Sequence, residues 1–148
     1  DKGISGGVAS RCTAAVTKNA STTFANVTGL TQTVVAGTYR FRAVLPSTVA
    51  SGTGGIKYCF KYTTTVVSVL EATAKGFTAT AVNVEHTTTT SDQANLYSEA
   101  AVVILVEIEG TMTITTGGTI DIQMAQDTSN ASDTIALVGG TFHMSRIA

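Results

Sequence analysis

The 148-residue chain contains no tryptophan, one proline, two cysteines and two histidines, and only 13% of its residues are charged, about half the charged share of an average soluble domain. Each shortage removes a class of protein. Two cysteines, Cys12 and Cys59, permit at most one intrachain bridge, which excludes a disulfide scaffold. Both sit in strand-like alternation, where a free buried thiol is the expected state. The longest uncharged apolar run, AVVILV at 101–106, falls far short of the roughly 20 residues that cross a bilayer, and no basic-then-apolar signal segment opens the chain, so no membrane insertion is expected. A net charge of -1 offers no overall attraction for nucleic acid. The chain starts at Asp1 without a methionine and reads as a piece of a longer polypeptide.

Threonine is abundant, at 28 residues, with 14 glycines and 43% hydrophobic residues. That apolar and β-branched content excludes a disordered chain, and the length suits one domain burying about two thirds of its unfolded surface. Apolar residues recur with period two almost throughout and nowhere at helical spacing, which predicts an all-β domain. In GTYRFRAVL (37–45), Tyr39, Phe41, Ala43 and Leu45 share one face and Arg40 and Arg42 the other, because successive side chains of a strand point to opposite sides. GIKYCFKYT (55–63) likewise sets Ile56, Tyr58, Phe60 and Tyr62 against Lys57, Cys59 and Lys61. Further strands are expected near 9–17, 22–27, 31–35, 66–72, 76–85, 101–109, 111–116, 118–126 and 134–147. About ten strands with short connections predict a β-sandwich or jelly roll, one domain over 11–148 after a flexible lead-in over 1–10. Two polar stretches, 86–98 and 127–133, read as exposed loops, with Thr88, Asp92, Asn95, Tyr97, Asp127 and Asn130 as candidate surface residues.

One strand departs from simple alternation. In AVVILVEI (101–108), Val102, Ile104, Val106 and Ile108 lie on one face, yet Val103 and Leu105 stand on the other before Glu107. A strand apolar on both faces needs cover on both, so Val103, Leu105 and Glu107 are candidates for a contact between subunits. Charge gives a second sign. Residues 1–75 hold eight of the nine Lys/Arg and two acids, net +6, and residues 76–148 hold one Arg and eight acids, net -7. Either the halves interleave within one subunit, or a basic flank of one subunit meets an acidic flank of the next.

Catalytic and ligand-binding patterns are sparse in the chain. GISGG (3–7) matches a Gly-x-Ser-x-Gly pattern but lacks the strand and helix that hold a nucleophilic serine in a strained turn. His86 and His143 have no partner at metal-ligand spacing, and GTGG (52–55) leads into a strand, so it is no phosphate cradle. Glu107 and Glu109 project from one strand face, with Asp121 expected on a neighbouring strand. This carboxylate pair could serve a hydrolase or hold a cation, but solvated carboxylates are the plainer reading. Asn-x-Ser/Thr triplets at Asn19, Asn26 and Asn130 are expected by chance in so threonine-rich a chain. No cofactor is called for.

AGTYRFRAVL (36–45), GIKYCFKY (55–62), VEIEGTMTITTGGTIDIQMAQDTSNASDT (106–134) and GGTFHMSRIA (139–148) together resemble the C-terminal domain of many bacteriophage virion and tail-fibre proteins, over about residues 20–148. That domain is similar in order of elements to the trimeric jelly rolls of the C1q and tumour-necrosis-factor type, with Gly37, Tyr39 and Phe41 on an early strand and Gly140 and Phe142 near the close. The ending Ser145, Arg146, Ile147 is less aromatic than in the C1q type. The resemblance implies a homotrimer on the particle surface without a catalytic centre: a fibre tip, spike or capsid decoration contacting other virion proteins and a host-surface glycan. The alternative from the residues themselves is a carbohydrate-binding module that stacks Tyr58, Tyr62 or Tyr97 on sugar faces.

Overall fold

Alternating strands that are dry on one side solve their burial by turning those sides toward each other, and this chain does so. A computed structural model describes residues 8–148 as a β-sandwich of two antiparallel sheets. In chain order the strands are β1 Val8–Arg11, β2 Val16–Lys18, β3 Ala25–Val34, β4 Gly37–Val49, β5 Ile56–Thr63, β6 Val66–Phe77, β7 Val82–Thr88, β8 Asn95–Glu99, β9 Leu105–Thr116, β10 Gly118–Ala125, β11 Thr134–Ala136 and β12 Thr141–Arg146. The larger, eight-stranded sheet runs β1-β12-β4-β9-β6-β7, with β11 beside β4 and β2 beside β11; the smaller runs β3-β10-β5-β8. First strand pairs with last, and β2–β11, β3–β10, β4–β9, β5–β8 and β6–β7 nest successively inside that pair, joined into sheets by β12–β4, β11–β4, β9–β6 and β10–β5.

Between the sheets, Phe41 of β4 meets Phe60 of β5 edge-on at 5.2 Å, and Phe60 meets Phe142 of β12 at 5.4 Å. Leu30, Leu45, Ile108, Met112, Ile120 and Ile122 fill the space around them, all at most 2% exposed. Buried polar groups are tied in. The Gln32 amide donates to the Phe142 carbonyl at 2.9 Å, and the Tyr58 and Ser47 hydroxyls share a hydrogen bond at 2.8 Å. Cys12 and Cys59 are free and buried, as the alternation predicted, and burial pushes the Cys59 thiol up to about 12, which leaves it unreactive.

The all-β sandwich agrees with the sequence reading, but several boundaries move. Val8–Arg11 is a paired strand, so the ordered domain begins before residue 11; the rest of the expected lead-in, with the Ser5 pattern, lies outside the described residues. The stretches 22–27 and 31–35 fuse into β3 across Gly29, whose backbone takes φ +90 and whose missing side chain leaves room for the Arg11 carbonyl. Conversely, the expected strand 76–85 contains the β6–β7 turn, where the Thr78 hydroxyl accepts from the Ala81 amide at 3.0 Å. The stretch 86–98 is not one loop, since Thr88 closes β7 and β8 begins at Asn95. A bulge in β8, opposite the step from Tyr58 to Cys59, buries Leu96 and Tyr97 consecutively and erases the alternation that would have revealed the strand.

Candidate functional site

The sheet registers place outward side chains in level rows across the eight-stranded sheet. One row reads His143, Arg42, Glu109, Thr73, His86 across β12, β4, β9, β6 and β7. On one side of it runs Ser145, Arg40, Thr111, Glu71, Thr88, and on the other Thr141, Val44, Glu107, Lys75, Val84. Between the first two rows lie two shallow hollows of about 350 and 460 Å³, one on either side of Glu109, Gly110 and Thr111. Beyond the Glu107 row the face turns apolar with Pro46, Leu105, Phe77 and Val82, where Val82 and Val84 are each 52% exposed.

Of the candidate contact residues, Leu105 and Glu107 lie on this outward face, but Val103 does not. Val103 is fully buried in the chain's own core and has no surface to give a neighbour. The cause is a tight bend in which the Val103 amide donates to the Ala101 carbonyl at 3.0 Å. The bend holds 101–104 outside the strand and shifts the phase, so Val103 turns inward while Val102 and Ile104 are 51% and 53% exposed. The apolar excess in this segment is thus real, and two different residues carry it.

The carboxylates do not converge. Glu107 and Glu109 share the outward face as expected, and Glu107 accepts an ion pair from Arg42 at 3.3 Å. Asp121 lies on the other sheet, where it takes a hydrogen bond from the Thr31 hydroxyl. Among the described residues no group of three His, Cys, Asp or Glu could hold a metal ion. His86 shares a hydrogen bond with Thr73 at 3.0 Å, and two strands separate each histidine of the row from the other side of Glu109.

The stacking platform also fails at two of its three tyrosines. Tyr58 and Tyr97 are fully buried and Tyr62 is half-buried, so Tyr97 is a core residue and not a loop candidate. Thr88, Asp92 and Asn95 are exposed; Asp92 accepts from the Tyr62 amide at 2.7 Å and pairs with Lys61. Asp127 and Asn130 are half-buried. Gln126, wholly buried, organises their loop by accepting from the Asn130 amide at 3.1 Å and donating to the Ser132 carbonyl at 2.7 Å. The two loops lie at opposite ends of the sandwich: 127–133 follows Ala125, opposite Lys57, while Asp92 reaches Lys61 and Tyr62 near the far end of β5. They cannot form one tip.

The chain matches no family model and no curated protein, so the functional reading rests on this geometry and on the sequence.

Proposed function

We propose that the chain is a non-enzymatic structural component of a bacteriophage virion, a homotrimeric jelly-roll head that serves as fibre tip, spike or capsid decoration. The sequence resemblance supplies the virion setting. The nested strand order, first with last and then inward, supports the jelly-roll reading within the sandwich. One observation carries self-assembly: the outward face of the eight-stranded sheet ends in an apolar row of Pro46, Leu105, Phe77 and Val82, with Val82 half exposed, Val84 equally so in the next row, and the exposed Val102 and Ile104 close by in sequence to Leu105. Contiguous apolar surface of this kind marks an interaction site. Copies of the chain bound to one another cover it, and a loop cluster at one end of the sandwich is then left to meet other virion proteins or a host-surface glycan.

Light scattering on the purified chain tests this reading. Three times the chain mass of 15.2 kDa is the expected result, and a monomer at every concentration would overturn it. Immunolabelled micrographs of intact particles, with label at the capsid or tail surface, test the virion setting separately.

A further inference from the structure

The outward face of the large sheet is divided by charge. Its β1-β12-β4 side presents Arg11, Arg40 and Arg42 and no acid, a formal +3. Its β9-β6-β7 side presents Glu71, Glu107 and Glu109 against Lys75 alone, a formal -2. Among the described residues the one ion pair on this face, Arg42 with Glu107, sits at the border between the sides. Arg42 also stands level with Glu109 on the adjacent strand, but Arg11, Arg40 and Glu71 form no ion pair among the described residues, and Arg11 on β1 lies four strands from Glu71 on β6, about 19 Å, farther than the roughly 8 Å over which salt leaves exposed charges in contact.

We infer that copies of the chain meet head to tail through this face, the arginine side of one against the glutamate side of the next, with the apolar row closing beside them. This rests on the self-assembly proposed above and adds its orientation and its residues. The charge pattern selects a second copy as the occupant. A foreign partner matched to one side is repelled by the other, whereas a copy turned about an axis parallel to the strands sets each side against its opposite. That rotation keeps the rows level, so Arg42 comes opposite Glu109 and the apolar row opposite itself. The contact is heterologous and closes about a three-fold axis, as the proposed trimer requires. Six strands and five rows measure about 24 Å by 27 Å, on the order of 650 Å² before side-chain relief, which a trimer covers with two neighbours, about 325 Å² from each side of the face.

Charge reversal tests the orientation. Arg40→Glu with Arg42→Glu, and separately Glu71→Lys with Glu109→Lys, are each expected to weaken association about a hundredfold, read by light scattering over a dilution series at low salt. All four substitutions in one chain recreate opposite sides and are expected to restore the parent mass. Lys57→Glu, on the smaller sheet, serves as the control and leaves the mass unchanged. Circular dichroism checks that each variant is folded, and the milder Arg40→Gln and Glu109→Gln replace any that is not. Parent mass in both reversals, or no recovery in the fourfold variant, overturns the orientation while self-assembly stands. A parent chain that is itself monomeric overturns both.

Discussion

The two outer faces of the sandwich are built from the same alternation and reach opposite ends. On the smaller sheet the polar side chains satisfy one another: Thr31 donates to Asp121, Lys61 pairs with Asp92, and Gln123 accepts from Gln93 and donates to Asn26, both at 2.6 Å. Lys57 of the same face rests over the Phe24 ring at 4.9 Å. On the larger sheet the charges are sorted by side, and the row beyond them is apolar. Hydrogen-bonding capacity satisfied between neighbours favours a face that stays in water, whereas charge and apolar surface separated into blocks favour one that is covered. Period-two patterning sorts inside from outside and says nothing of which outside is finished.

The sharpest test of the comparison contrasts a core position with a face position two residues away. Val103→Asp places an unpaired carboxylate in a fully buried site and is expected to cost on the order of 4 kcal/mol or more, enough to unfold the chain. Leu105→Asp, at a half-buried outward position, is expected to cost about 1 kcal/mol in the isolated chain while abolishing association. Urea denaturation followed by circular dichroism, with light scattering on the folded fraction, separates the two. Equal loss of stability would mean that the face at Leu105 belongs to the core and is no surface at all.

Much of this architecture was legible in the residues. The alternation in 37–45 and 55–63 places Tyr39, Phe41, Tyr58 and Phe60 inside as expected, because regular strands have an unambiguous period. Legibility fails where the backbone breaks that period. The bulge that buries Leu96 beside Tyr97 hid β8, and the bend at Ala101–Val103 inverted the expected facing of 102–104 alone. Both are backbone hydrogen-bond events with no side-chain signature. The charge asymmetry between the chain's halves was visible, and among the described residues both ion pairs, Arg42 with Glu107 and Lys61 with Asp92, do join a first-half cation to a second-half acid. The division of one sheet face into sides was not visible, since it depends on which strands lie next to each other.

A smaller effect tests whether the smaller sheet's face is as self-sufficient as its hydrogen bonds indicate. Gln123 is 8% exposed and bridges Asn26 and Gln93, so Gln123→Ala removes two bonds, while both partners are exposed and turn to water. A loss of about 1 kcal/mol is expected. Thr111→Ala, in the row beside the two hollows of the larger face, is expected to change chain stability by less than about 0.5 kcal/mol. Urea midpoints of the two variants, measured at a concentration where the chains are dissociated, should differ accordingly. Matching midpoints would remove the distinction between a finished face and an open one.

The smallest effect lies at the seam where the edges of the two sheets meet. Glu85 of β7 accepts from the Ser98 amide of β8 at 3.1 Å, so one sheet's edge is capped by a side chain of the other. Burial raises the Glu85 carboxyl above its ordinary value; the Ser98 bond partly offsets this, and the nearby Glu99 and Asp127 add to the rise. The folded chain therefore keeps this proton at pH values where the unfolded chain has released it. The stability that follows is fully present below the ordinary glutamate value and is lost as pH rises through the folded one. Glu85→Gln keeps an acceptor for Ser98 and removes the charge, so it should stabilise the chain at pH 7.5 and be neutral near pH 4. Solvent screening at this half-buried site limits the gain to a few tenths of a kcal/mol. Denaturation at the two pH values decides between two kinds of seam. A gain confined to the higher pH places Glu85 with the charges that the fold leaves uncompensated, as on the larger face. A loss at that pH would place it with the satisfied network of the smaller one.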